Sequence, residues 1–130
     1  MTNESVTIIL PLPPRVLSPN CPIASMRGRF MKAAAAKKQR RLAKEAVEAE
    51  EIESVPWDNA DLQAVFFHKT KRRRDGVNHN QMLKSAQDGI VDSGLLIDDD
   101  AEHLTTLPPK FEIDKECPRV EITIIKRSPA

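Results

Sequence analysis

Apolar residues follow two kinds of pattern along this chain, one typical of strands and one typical of helices. Residues 6–10, 62–68 and 120–125 are short runs rich in β-branched and aromatic side chains, and the last run alternates apolar with polar positions. Prolines follow the first run at positions 11, 13 and 14. These runs predict three β-strands, the first of which enters a stiff extended loop.

Two other segments have the composition or the spacing of helices. Residues 29–53 consist mainly of Ala, Lys, Arg, Glu and Leu, which are strong helix formers. In residues 78–93, Met82, Ala86 and Ile90 recur every four positions, and Gly94 follows as a left-handed stop. We expect Asn78 to cap this second helix. Its opposite side is polar and carries Asn80, Lys84, Asp88 and Asp92.

The order of these elements predicts the fold class. Apolar residues on both sides of Pro108 and Pro109 indicate a further strand before the last one. The order β, long α, β, α, β, β predicts an α+β fold in which a small mixed β-sheet packs against two main helices. A length of 130 residues is enough for one domain with a modest core, so residues 1–130 are interpreted as a single domain.

The charges change this picture because they are segregated along the chain. The formal net charge is only +1, yet eight of the 20 Lys and Arg residues fall in residues 27–44 and five more in residues 69–74. Acidic residues cluster at 45–53 and 98–102. A basic first half and an acidic second half oppose the dipole of the long helix. Helix stability therefore does not explain that order, which fits either a basic contact surface or a solvated charged face.

Cysteine usage and hydropathy indicate a cytoplasmic protein. Cys21 and Cys117 have no metal-type spacing to another Cys or His, so two free thiols in a reducing compartment are expected. The first residues predict no signal peptide, and no apolar run approaches the roughly 20 residues of a membrane span. We therefore expect no membrane partner.

The candidate chemistry lies on either side of the second helix. A basic loop precedes it, with Lys69, Lys71, Arg72, Arg73 and Arg74. Guanidinium groups form bidentate contacts with phosphates, and adjacent arginines repel one another unless an anion is near. Asp98 and Asp99 follow the helix in a run of three aspartates, and carboxylates are ligands for divalent cations. The two charged segments together predict metal-assisted chemistry on a nucleic acid backbone.

Residues 74–99 resemble the RusA-type Holliday junction resolvases of bacteria and phages. Those proteins carry an Asp-x-Asp-Asn motif after a basic loop, then a helix with a lysine, and later a pair of aspartates. Matching spacings occur here at Lys84, Asp88-Gly89, Asp92-Ser93-Gly94 and Asp98-Asp99. Residues 10–14 and 119–121 are also similar to the family, so the resemblance spans nearly the whole chain, although its specific part covers about 30 residues.

The resemblance implies a RusA-like fold and a concrete function. Such proteins are homodimeric, Mg²⁺-dependent endonucleases that nick four-way DNA junctions in recombination and repair. It implies that Asp75, Asp98 and Asp99 hold the metal and that Lys84 assists at the phosphate. It also implies that the protein acts in the cytoplasm of a bacterial or phage-infected cell. Branched DNA, rather than a small molecule, is the expected substrate. The carboxylates of Asp75 and Asp99 should then lie close enough for one cation, or a pair of cations about 4 Å apart, to bridge them.

This chain departs from the motif at its second aspartate. The alignment that we prefer puts Asp75 on the first aspartate and Val77 on the second, whereas an ungapped alignment from Lys84 puts Asn78 and Asn80 on the pair. His79 and Asn80 carry alternative ligand atoms, and an imidazole ligand favours Mn²⁺ over Mg²⁺. Three hypotheses follow: an active junction endonuclease, a junction-binding module with impaired cleavage, and a protein-interaction adaptor built on the long charged helix.

Overall fold

The protein alternates strands and helices in the order expected for an α+β fold. A computed structural model describes residues 4–19, 21–23, 25–53, 55–71, 74 and 76–127, with the backbone alone at Val77. The elements are β1 (Ser5–Leu10), a 3-10 turn (Arg15–Leu17), α1 (Met26–Glu48), β2 (Ala60–His68), α2 (Gly76–Gln81), α3 (Lys84–Asp92), β3 (Leu104–Thr106), β4 (Lys110–Ile113) and β5 (Arg119–Lys126). The predicted fold class, a mixed sheet with two main helices, is confirmed.

Strand β5 lies at the centre of the mixed sheet, between β1 and β2. Both of these neighbours run antiparallel to β5. On the side of β2 that faces away from β5, residues 60–62 pair in parallel with β3 and residues 65–68 pair in parallel with β4. Pro108 and Pro109 separate these two short strands, because proline lacks the N–H that a continuous ladder requires. The single strand expected in this region is therefore two strands that share one edge.

The core lies on one face of the sheet, beneath α1 and α3. Alternate residues of the three long strands are buried there, as the two-residue period of a strand requires. The helices add Ala43 and Val47 from α1 and Leu83, Ala86 and Ile90 from the chain around α3. The sheet contributes Val6, Ile8, Leu10, Ala60, Leu62, Ala64, Phe66, Val120, Ile122 and Ile124.

A glycine allows α1 and α3 to pack closely. A Cβ atom at Gly89 would overlap the backbone carbonyl oxygen of Arg40 and lie 3.0 Å from the Cβ atom of Ala43. Every side chain other than hydrogen would therefore push the helices apart. This contact determines how near the polar side of α3 lies to α1.

The helix boundaries differ from the expectation in two places. α1 ends at Glu48 rather than near residue 53, and Glu51 has a positive φ of 51°. Acidic side chains are unfavourable at the negative end of a helix dipole, which is consistent with the early end. The helix expected over residues 78–93 is divided into α2 and α3 by a turn at Met82 and Leu83, and Asn78 lies inside α2 instead of capping it. Asn and His are weak helix formers, so α2 is short.

The residue after α3 and the state of the cysteines agree with the expectations. Gly94 has a φ of 89°, the left-handed conformation predicted for the stop after α3. Cys21 and Cys117 are both free thiols. Within the described part of the chain, no helix has both the length and the apolar composition needed to cross a bilayer.

Candidate functional site

Lys84 is the first residue of α3, and its backbone is held to α1. Leu83, just before it, is fully buried. In the first turn of α3, the N–H of Ala86 donates a hydrogen bond of 3.0 Å to the side-chain Oε1 of Gln39. The first N–H groups of a helix have no partner within the helix, so the buried amide of Gln39 satisfies one of them. The start of α3, and Lys84 with it, is thereby positioned by α1.

The side chain of Lys84 joins two carboxylates. Its Nζ donates to Oδ1 of Asp88, one helical turn further on, at 3.1 Å. It also donates to Oδ2 of Asp99, which lies in the loop after α3. The Asp99 side chain is only 14% exposed, whereas that of Lys84 is 63% exposed. The structure therefore brings together two of the predicted site residues, Lys84 and Asp99, and adds Asp88.

The ionisation of this pair depends on the contact itself. Hydrogen bonding to Asp99 raises the pKa of Lys84, against the opposing effect of burial. Burial by itself would raise the pKa of Asp99, but the hydrogen bond and the charge of Lys84 outweigh it and hold that pKa below its usual value. Both groups are consequently charged at neutral pH, and the ammonium favours the ionised form of the partly buried carboxylate.

The three adjacent aspartates have different partners. Oδ1 of Asp98 accepts the backbone N–H of Asp99 at 2.7 Å. Oδ1 of Asp100 accepts the N–H groups of Glu102 and His103 at 3.0 and 3.2 Å. Asp98 and Asp100 thus stabilise the turn, as short acidic side chains commonly do. Of the three, Asp99 is the one whose carboxylate meets Lys84.

A second ion pair lies at the other end of α3. Arg40 of α1 donates to both carboxylate oxygens of Asp92, at 2.5 and 2.8 Å. This bond and its charge lower the pKa of Asp92, and Asp88 and Asp99 are near enough to act on Arg40 as well. Three carboxylates and two cations therefore lie on or beside the polar side of α3, with Asp99 contributed by the following loop and Arg40 by α1.

Asn80 shares an open cavity with Lys84. The cavity measures about 540 Å³ and is also lined by Gln81, Gln87 and Thr106. The Nδ2 of Asn80 donates to the carbonyl oxygen of Leu107 at 3.1 Å, and its Oδ1 is buried without a hydrogen-bond partner among the described residues. The preferred alignment of the Asp-x-Asp-Asn motif points to Asp75 and Asn78, and not to Asn80, as candidate site residues. The signal for Asn80 was its four-residue spacing before Lys84, which the ungapped alignment used.

The basic loop is described in part. Lys69 and Lys71 are exposed, and Arg74 donates to the carbonyl oxygen of Thr70 at 3.0 Å. Arg74 and Lys71 line a cavity of about 390 Å³ together with His68 and Glu112. Arg72, Arg73 and Asp75 lie outside the described residues. The expected approach of the Asp75 and Asp99 carboxylates therefore stays a prediction.

Two histidines stand between this loop and the core. The rings of His68 and His79 meet edge to face with centroids 5.4 Å apart, and both pack against Phe66 and Phe111. Burial, with help from the charges of Arg74 and His79, lowers the pKa of His68 to about 4. His68 is thus neutral at physiological pH and behaves as part of an aromatic cluster.

The donors beside Lys84 have the chemistry that Mg²⁺ prefers. Mg²⁺ is usually bound through one or two carboxylates, several waters and substrate phosphates. Asp88 and Asp99 supply two carboxylates, although Lys84 contacts both of them. Among the described residues, no three His, Cys, Asp or Glu side chains form a group that could hold a metal ion. A Mg²⁺ site here would thus rest on two carboxylates, completed by Asp75 or by water.

Comparison with known proteins leaves the family open. No protein-family model matches this chain, and no curated protein matches its sequence. The resemblance to the RusA-type resolvases therefore stays an expectation drawn from the residues.

Proposed function

We propose that this protein is a Mg²⁺-dependent endonuclease that resolves four-way DNA junctions in recombination and repair. The observation that carries the proposal is the contact between Lys84 and Asp99, which are 15 residues apart. The resemblance implied a role for each of these two residues. Lys84 also lines an open cavity. A carboxylate and a cation in contact beside such a cavity support the proposal of a site that cleaves phosphodiesters.

Each residue has a distinct role in this proposal. Asp99, with Asp75 and with Asp98 as a further candidate, would hold Mg²⁺, or Mn²⁺ in its place. When bound, the cation supplies positive charge beside a non-bridging phosphate oxygen. The ammonium group of Lys84 would turn from Asp99 towards the scissile phosphate. Its side chain can do so because it is mostly exposed and carries its charge at the end of a flexible stem.

The substrate and the oligomeric state follow from symmetry and charge. Lys69, Lys71 and Arg74, together with Arg72 and Arg73, would contact phosphates of the DNA arms. A four-way junction has two-fold symmetry, and paired nicks need two sites, so a homodimer is proposed. Small molecules are not the proposed substrate.

The test compares one junction with its matched linear control. Protein is incubated with a labelled synthetic four-way junction and with linear duplex of the same sequence, at two salt concentrations. We expect tighter binding to the junction, with affinity that falls steeply as salt rises. Equal affinity for the two DNAs would refute junction specificity. Addition of Mg²⁺ or Mn²⁺ should then yield paired, symmetric nicks.

A second candidate function is junction binding with impaired cleavage. It is favoured by Asn80, which stands in the cavity beside Lys84, and by the contacts of the Lys84 ammonium with both Asp88 and Asp99. A carboxamide is a neutral and weaker ligand for a hard cation than a carboxylate. Persistent junction binding without nicks in either metal would establish this second function.

A further inference from the structure

The first half of α1 is much more exposed than its second half. From residue 26 to residue 34 every position except Gly28 is exposed, whereas Gln39, Ala43 and Val47 in the second half are buried. Even Met26 and Phe30 are 71% and 68% exposed. We call residues 26–38 the basic arm.

The positive charge of the arm has no ion-pair partner in the part of the chain that the structure describes. Residues 26–44 contain eight Lys and Arg residues and no acidic residue. Arg40 pairs with Asp92, and Arg41 pairs with Glu45. Among the described residues, no ion pair involves the five cations of the arm, which are Arg27, Arg29, Lys32, Lys37 and Lys38. Such a run of exposed cations fits an anionic partner.

One side of the arm continues the candidate site. Lys32 and Ala36 line a cleft of about 290 Å³ whose other wall includes Lys84 and Ser85. Arg29 lies one turn before Lys32, and residues three apart share a side of a helix. Lys84, Lys32 and Arg29 therefore form a row of cations that leads away from Asp99 along the arm.

The arm is built to hold this row in place. The side chain of Ser25 caps the helix by accepting the N–H of Gly28 at 3.1 Å. Four consecutive alanines, residues 33–36, give the arm high helix propensity where it leaves the core. A rigid helix loses little conformational entropy when it binds, which favours a partner with regularly spaced charges.

We propose that the side of the arm that bears Arg29 and Lys32 binds the phosphate backbone of the DNA strand that leaves the candidate site. This inference rests on the proposed DNA-binding function and adds a second contact surface beyond the basic loop. A helix rises about 1.5 Å per residue, so the arm extends about 20 Å and spans several phosphates of a duplex.

An anionic membrane is the competing partner for a basic helix with exposed Phe and Met side chains. Insertion requires an apolar side separate from the charged one. Here Lys37 and Lys44 follow Phe30 at 7 and 14 residues, so cations share the side of the helix on which Phe30 lies. Met31 lies on another side of the helix, next to Arg27 and Lys38 in the helical projection. The mixed pattern favours a phosphate backbone over a bilayer.

The experiment compares two double variants with the same loss of charge. Arg29→Ala with Lys32→Ala removes the row that leads from the site, and Lys37→Ala with Lys38→Ala removes two cations that point elsewhere on the arm. All four positions are exposed, and alanine maintains the helix. Binding to the labelled four-way junction is measured as a function of salt, and circular dichroism checks the fold of each variant.

We expect the Arg29/Lys32 variant to bind roughly tenfold more weakly or worse, with the slope of log affinity against log salt reduced by about two. The Lys37/Lys38 variant should stay close to the wild type. Equal losses in both variants, or none in the first, would overturn the proposed surface. Binding of the wild type to vesicles with anionic lipid, lost in the Arg29/Lys32 variant while junction binding is unchanged, would assign the arm to a membrane. If the wild type binds no DNA, the proposed function itself fails and the arm proposal fails with it.

Discussion

The two ends of α3 each carry a cluster of opposite charges, and the two clusters are built differently. At the C-terminal end, Arg40 makes two hydrogen bonds with Asp92, and both side chains are open to solvent. At the N-terminal end, a single ammonium, that of Lys84, contacts Asp88 and Asp99, and Asp99 is mostly buried.

The difference separates a structural pair from a candidate reactive pair. A guanidinium in bidentate contact has its geometry fixed, and Arg40 thereby holds α1 against α3. A lysine ammonium is a compact charge on a flexible stem that can exchange one oxygen for another. The cluster around Lys84 can therefore release its carboxylate to a cation or turn to a phosphate. The pair formed by Arg40 cannot do so without loosening the helices.

The largest expected effect is a loss of nicking activity in Asp99→Asn, with Asp92→Asn as the matched control. Changes to groups that only orient metal ligands cost about 10- to 100-fold in activity, so loss of Asp99 as a ligand should lower nicking by more than about 100-fold. Asp92→Asn should retain nicking within about threefold of the wild type, a change of well under 1 kcal/mol. Initial nicking rates on the four-way junction in Mg²⁺ measure both, and gel shifts monitor binding. Similar losses of nicking in the two variants would contradict the distinction between a structural pair at Asp92 and a reactive pair at Asp99.

The next effect concerns the packing that brings both clusters together. Gly89→Ala places a methyl group against the backbone of Arg40, and overpacking of a tight contact costs on the order of 3 kcal/mol. We expect the free energy of unfolding to fall by about that amount in a urea titration. Gly28→Ala is the control, because the nearest atom, Cγ2 of Ile23, lies 3.3 Å from the added carbon and belongs to a side chain. An unchanged stability in Gly89→Ala would contradict the packing described for α1 and α3.

The smallest effect is a shift in ionisation. In Lys84→Met, burial is the largest remaining influence on Asp99 and is opposed only by hydrogen bonds to Asp98 and to the backbone, so the pKa of Asp99 should move from below its ordinary value of 3.8 to above it. In Arg40→Met, the pKa of the exposed Asp92 should rise only towards its ordinary value. Carboxylate titration followed by NMR measures both.

The same shift has a consequence for stability against pH. In the wild type the contribution of Asp99 is present above its ordinary pKa of 3.8 and is lost as pH falls through the lowered pKa. In Lys84→Met the sign reverses, because protonation then relieves a buried charge. A pKa for Asp99 that stays low in Lys84→Met would mean that Lys84 does not hold that carboxylate ionised.

Much of the fold was predictable from local patterns. The strands β1, β2 and β5 were expected within two residues of their ends, because β-branched runs bounded by prolines and polar residues carry a strong local signal. The division of the second helix at Met82 and Leu83 was not expected. Its apolar spacing continues through the break, so periodicity alone could not reveal it.

The candidate site was predictable only in its parts. Lys84 and Asp99 are indicated by spacings that match those of the resolvases. The contribution of Gln39 carried no local signal, because a buried glutamine inside a charged helix has the same sequence appearance as an exposed one. Its role depends on Ala86, 47 residues away, whose N–H donates to the Gln39 side chain instead of to a carbonyl of its own helix.

The sequence by itself determined where the three long strands and the two helical regions lie and which side of the second helical region faces the core, because those choices depend on neighbours a few residues apart. The tertiary structure decided which of three adjacent aspartates meets Lys84, and that Asp92 pairs with Arg40. Such contacts join residues 15 and 52 positions apart. They depend on the path of the loops and on how closely Gly89 lets two helices approach, and no local pattern records either.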